Sequence, residues 1–166
     1  MGRGRELDIR RITNEYTEEI RVFFIEQWGS PEMVISSGTF YCDALDGFFM
    51  EEHNQIIGLI TYRIHANEVE VISLDSLKEG KGIGSKLLDK VEDLAKKNNC
   101  KTVSLVTTND NLNALKFYQK RGYRIAAIIP NAVNDARTIK PSIPLVGSDG
   151  IPLHDELKLT KVIYEK

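Results

Sequence analysis

"TTNDNLNALKFYQKRGYRI", residues 107–125, decides how the rest of the chain is read. Its threonines close a β-forming run, "TVSLVT" at 102–107. Asn109, Asp110 and Asn111 then offer caps for a helix from about 112 to 120. Gly122 stands where that helix should stop, and residues 123–129 return to strand-forming composition. Asn111, Ala114 and Tyr118 are spaced i, i+3 and i+7, so they share one helix face. A small alanine beside a tyrosine leaves a slot along that face. Leu112, Leu115 and Phe117 read as core, and by spacing alone Tyr118 reads as core too.

Upstream, "LKEGKGIGSKLL" at 77–88 places Gly80, Gly82 and Gly84 just before a long apolar periodicity through Ile83, Leu87, Leu88, Val91, Leu94 and Ala95. Glycine is costly to order, so three in five positions call for a return. The segment lacks the Gly-x-x-x-x-Gly-Lys-Ser/Thr of a P-loop, and Leu87 breaks a G-x-G-x-x-G dinucleotide fingerprint. What is left is a strand, a glycine turn and a helix opening at 82–85. The free amides and positive dipole end of such a helix suit a pyrophosphate, provided no side chain blocks the approach.

Around these segments the first half reads as strand-rich and mostly antiparallel. Strands are expected at 7–12, 33–35, 48–50, 56–64 and 69–74, with a helix over 15–28. A last strand is expected at 156–163. Residues 130–155 carry Pro130, Pro141, Pro144, Pro152, Gly147 and Gly150 and read as a long irregular loop folded over something. Residues 7–166 read as one domain, within a chain of 166 residues that is 42% hydrophobic and 28% charged. A net charge of −2 argues against a nucleic-acid partner held by bulk charge. No apolar run is long enough for a membrane span, and the first residues lack an apolar signal region. Cys42 and Cys100 read as free thiols of a cytoplasmic protein. With His53, His65 and His154 scattered, no metal site is expected.

The two decisive segments together resemble the GCN5-related N-acetyltransferase (GNAT) superfamily. The glycine segment is similar to its acetyl-CoA signature, Q/R-x-x-G-x-G/A. Residues 111–123 are similar to N-x-x-A-x-x-(F/L)-Y-x-K-x-G-F/Y, through Asn111, Ala114, Phe117, Tyr118, Lys120, Gly122 and Tyr123. The departure is Glu79 at the Gln/Arg position, in a turn about two residues shorter than usual, so that Lys81 or Lys86 would supply positive charge. The resemblance implies an α/β (α+β) fold with a mixed, mostly antiparallel central sheet flanked by helices. It also implies direct transfer of an acetyl group from acetyl-CoA to a primary amine. A small-molecule amine is the favoured acceptor. A protein amine, or a non-catalytic acetyl-CoA sensor or interaction module, is the alternative. A monomer or a homodimer would suit such a fold.

That chemistry makes three demands. A lysine-like amine has a pKa near 10.4, so freeing it at neutral pH costs roughly 4 kcal/mol and calls for a base. The resemblance suggests Glu70 on the strand before the glycine turn, with Glu68, Glu51 and Glu52 as alternatives. The acetyl oxygen needs a backbone donor near Leu74, Ser76 or Leu77. The leaving thiolate needs a proton, and Tyr118 matches the family's general acid. The implied cofactor set is Leu74, Ser76, Leu77, Gly80, Lys81, Gly82, Ile83, Gly84, Ser85, Asn111, Ala114 and Tyr118, where Asn111 could bond the pantetheine arm, cap its helix, or both.

Overall fold

The strand-forming runs pair into one central sheet, seen in a computed structural model that describes residues 8–78 and 80–163. Glu79 and the end residues of the expected domain lie outside the described residues. In chain order the strands are β1 (Ile9–Arg11), β2 (Glu32–Ile35), β3 (Gly38–Tyr41), β4 (Asp46–Glu52), β5 (Gln55–His65), β6 (Glu68–Ser76), β7 (Thr102–Thr108), β8 (Arg124–Ile129) and β9 (Glu156–Val162). The helices are α1 (Thr17–Trp28), α2 (Ile83–Lys97), α3 (Leu112–Lys120) and α4 (Ala132–Ile139). The sheet order is β1-β4-β5-β6-β7-β9-β8, and of its neighbours only β6 and β7 run parallel.

The sheet has a core on each face. Strand alternation sends Ile60, Tyr62, Val69, Val71, Val103 and Leu105 to one side, under the apolar stripe of α2 and the inner face of α3. Phe49, Leu59 and Ile72 face the other way, against Ile20, Phe23 and Phe24 of α1. The expected mostly antiparallel α/β fold is thus present.

Three expectations change. The strand at 33–35 is not part of the central sheet: β2 and β3 form a hairpin, a separate two-stranded sheet, with its turn at Ser36 and Ser37. Residues 130–155 are not all loop, because they contain α4, which buries Ala132, Val133 and Ala136. Bonds within the segment hold its shape. Asn131 starts α4 in a left-handed conformation while its amide donates to Asp155 Oδ1 at 2.8 Å. The Arg137 guanidinium donates to the carbonyls of Ile143, Pro144 and Leu153. Leu112, expected in the core, is 53% exposed on the outer face of α3.

The parallel pairing carries the feature that matters most. β6 pairs with β7 only from Glu68↔Thr102 to Val71↔Leu105. Its partner β5 continues to Gly58↔Ser76, but with one extra residue in β6, since Thr61 faces Ser73 while Tyr62 faces Val71. A bulge of this kind bends and twists its strand. Beyond it β6 diverges from β7, and the sheet opens into a wedge.

Candidate active site

The wedge continues into a cleft of about 620 Å³. Ile72, Ser73 and Leu74 form its β6 wall, and Val106, Thr107 and Thr108 its β7 wall. Asn111, Ala114 and Tyr118 close it on the α3 side. Trp28, the β2–β3 hairpin, α4 and residues around Pro144 close it on the other. Of the expected cofactor set, Leu74, Asn111, Ala114 and Tyr118 therefore meet in one cleft. Ser76, Leu77 and residues 80–85 lie beyond its lining. The Leu77 amide is engaged by the Ile57 carbonyl at 2.8 Å, which leaves Leu74 and Ser76 as the backbone donors on the open edge.

Tyr118 owes its place to the way α3 ends. Gly122 (φ 94°) lets the chain reverse, so that the Gly122 amide reaches the Gln119 carbonyl at 3.1 Å and the Tyr123 amide reaches the Tyr118 carbonyl at 3.1 Å. This is a Schellman closure, which usually brings an apolar contact between the residues at its two ends. Here that contact is between the Tyr118 and Tyr123 rings, edge to face with centroids 5.6 Å apart. Tyr123 is itself anchored, its hydroxyl donating to Glu92 of α2 at 2.8 Å. The terminating glycine and the aromatic after it thus fix the tyrosine that faces the cleft. Tyr118 is 7% exposed, and its hydroxyl has no hydrogen-bond partner among the described residues. Burial, with a smaller contribution from the Asp75 charge, raises its pKa above the usual tyrosine value. Asn111 caps α3, its Oδ1 accepting from the Ala114 amide at 3.0 Å, while also lining the cleft.

The glycine turn sits at the start of α2. Gly82 is its N-cap at φ 67°, with nothing within 4 Å of where a Cβ would be. The first helical bond runs from the Lys86 amide to the Gly82 carbonyl, which leaves the Gly84 and Ser85 amides unpaired among the described residues. Sequence reasoning looked to Lys81 or Lys86 for charge here and missed Arg121. Its Nε donates to Ser85 Oγ at 2.7 Å, and its guanidinium lies 3.8 Å from the centroid of the Phe117 ring. Ser85, distant in sequence, and Phe117, one turn earlier in the chain, together fix this cation against the first turn of α2.

Three carboxylates stand on the α1 side of the sheet. Glu70, the expected base, is buried but does not line the cleft. Arg63 Nε donates to it at 2.9 Å and the Ser37 hydroxyl at 2.7 Å. Asp75 accepts from the Trp28 indole at 3.1 and 3.2 Å, and Glu156 accepts from the Ser36 amide at 3.2 and 3.3 Å. The sequence showed all three as acidic residues but not which would be buried. Burial pushes the Asp75 carboxyl up to about 6, against the lesser effect of the indole hydrogen bond. A carboxyl raised in the folded state favours folding below its unfolded pKa near 3.9, and that advantage is lost as pH rises through about 6. Asp75→Asn, which keeps an oxygen for Trp28, is therefore expected to stabilise the protein by about 1–3 kcal/mol at pH 8 and by almost nothing at pH 4. Chemical denaturation at the two pH values reads this directly.

Comparison with known proteins bears on the family and the fold. A family model described as "Acetyltransferase (GNAT) family" matches residues 10–123. The chain is 56% identical over 142 residues to the uncharacterized protein YdhI of Bacillus subtilis (strain 168), covering 85% of this chain and 89% of that protein. Among solved structures it is similar to the IAA acetyltransferase from Bacillus cereus ATCC 14579 (TM-score 0.72, 20% identity, 95% of this chain and 99% of that one). It is also similar to Arabidopsis thaliana Naa50 in complex with the bisubstrate analogue CoA-Ac-MVNAL (TM-score 0.69, 21% identity, 93% of this chain and 97% of that one). Among the described residues no helix is long and apolar enough to cross a membrane, and no cluster of metal-ligating side chains is present.

Proposed function

From the premise that this chain belongs to the acetyltransferase (GNAT) family, we propose that it moves the acetyl group of acetyl-CoA directly onto a small-molecule primary amine. The observation that carries this reading is the wedge between β6 and β7, which presents an unpaired strand edge and the Tyr118 hydroxyl to one cleft. The open edge suits the amide-bearing arm of the donor, and the Gly82 turn with its free amides suits a pyrophosphate. The Arg121 guanidinium adds positive charge beside that turn, together with Lys81. The cleft volume falls within the range of small-molecule sites, and the hairpin and the 142–148 segment wall its acceptor side.

In the transfer, the acceptor nitrogen bonds to the acetyl carbon as the carbon–sulfur bond breaks. Of the two protons the ammonium gives up, one goes to solvent by way of the base and one replaces the proton placed on sulfur. The Leu74 amide, on the open edge within the cleft lining, stabilises charge on the acetyl oxygen. Tyr118 donates its proton to sulfur and regains one from the product nitrogen. Glu70 stands outside the cleft lining, so as the base it takes the amine's proton by way of water, with the Ser37 hydroxyl and Arg63 holding its carboxylate.

Calorimetric titration with acetyl-CoA and, separately, with ATP tests the donor. Micromolar binding of acetyl-CoA and none of ATP is expected. An absence of acetyl-CoA binding would remove the catalytic reading and leave the family fold alone.

A further inference from the structure

We infer that Glu156 selects the acceptor, receiving the ammonium group of an amine that carries a single positive charge on an apolar body; this rests on the acetyltransferase reading above. Glu156 is the first residue of β9, opposite Thr108 of β7 and Ile129 of β8, at the level where the sheet has opened. Its side chain lines the cleft yet is only 2% exposed. Its partner among the described residues is a neutral one, Ser36 in the hairpin turn, through its amide and its hydroxyl.

A buried carboxylate normally has a cation or several donors, because losing hydration is costly. The neighbouring acids meet that rule. Glu70 has Arg63 and Ser37, and Asp110, which also lines the cleft, has the Thr108 hydroxyl at 2.5 Å and the Ser148 amide at 2.8 Å. The lysine in the lining, Lys140, gives its ammonium to the Glu32 carbonyl at 2.6 Å and so is not the counter-ion. Burial raises the Glu156 pKa against the lesser, opposing effect of the Ser36 hydrogen bonds, as expected of a carboxylate without a cation. An incoming ammonium supplies it.

The walls define the rest of the acceptor. Met33, Ile35, Val133, Ala136, Ile143 and Leu153 are apolar and line the same cleft. Besides Glu156 the lining acids are Glu32 and Asp110, the latter already held by Thr108 and Ser148, so the further charges of a polyamine are poorly matched by these walls. An amine with its own carboxylate alongside would meet like charge from Glu156.

The probe is 2-phenylethylamine, with phenylalanine and spermidine as comparators. Binding is followed by emission from Trp28, the single tryptophan, which lines the cleft. Transfer is followed separately by thiol release from acetyl-CoA. Glu156→Gln keeps an oxygen for the Ser36 amide and removes only the charge. It is expected to weaken 2-phenylethylamine binding about 10–100-fold, to raise its KM at least as much, and to leave acetyl-CoA affinity within about threefold. Phenylalanine and spermidine are each expected to bind the wild type at least about 10-fold more weakly than 2-phenylethylamine. Equal affinity of wild type and Glu156→Gln, equal binding of either comparator, or no saturable binding of 2-phenylethylamine would overturn the assignment. Saturable, Glu156-dependent binding with no thiol release would support Glu156 as the ammonium site and overturn the acetyltransferase reading instead.

Discussion

Tyr118→Phe is expected to lower kcat about 10–1000-fold while leaving acetyl-CoA affinity nearly unchanged. The substitution is clean because the ring does the packing. It stands edge to face with Phe117 at 5.1 Å and with Tyr123 at 5.6 Å, and phenylalanine preserves both contacts. The hydroxyl bonds no other side chain among the described residues, so removing it leaves no buried group unsatisfied. Its raised pKa keeps it protonated throughout the neutral range, as a donor must be. A thiolate leaving into the same dry cleft is also made more basic, which narrows the gap between an ordinary tyrosine near 10 and an ordinary thiol near 8.5. Thiol release under saturating substrates measures kcat, and calorimetry measures the affinity. An unchanged kcat would take Tyr118 out of the chemistry and leave it as packing.

Gly82→Val should act on the other half of the reaction, weakening acetyl-CoA binding about 100-fold with little change in kcat at saturation. Two effects add. A β-branched residue at φ 67° is a genuine backbone outlier, so the turn must distort. The empty space over Gly82, which we assign to a phosphate, would then hold a side chain. Each charge-assisted bond from a backbone amide is worth about 1.5–3 kcal/mol, so losing one or two gives this magnitude. Gly82→Val binding acetyl-CoA as tightly as wild type would place the pyrophosphate elsewhere. Because Gly82 is a turn residue with no neighbours at its Cβ, the fold itself should survive the change.

Local signals were the readable ones. α3 runs from Leu112 to Lys120, where its asparagine caps and terminal glycine put it, and the apolar period of α2 marks its buried stripe correctly. Each of these depends on residues within one or two helical turns. α4 was hidden because prolines and glycines dominate its surroundings, while its start is held by Asp155 and the loop after it by Arg137, partners distant in sequence. The same holds for the site. Asn111, Ala114 and Tyr118 could be read as one face from spacing alone, and the cleft does contain all three. Arg121 escaped notice, and Glu156 was one acidic residue among several, because nothing in their local sequence says that one will meet Ser85 of α2 and the other will be buried beneath the turn of a hairpin. Leu112 shows the converse, an apolar residue at helical spacing that the tertiary fold leaves in water.

The short parallel pairing of β6 with β7 also has a mechanical meaning. The central sheet is two half-sheets, β1-β4-β5-β6 and β7-β9-β8, stitched along a seam of residues 68–71 against 102–105. Below the seam the halves are held together by the helices packed across them, with Tyr123 and Lys161 both reaching Glu92 on α2. A molecule lying in the wedge touches both halves at once and works as a keystone, locking a joint that the backbone alone leaves hinged.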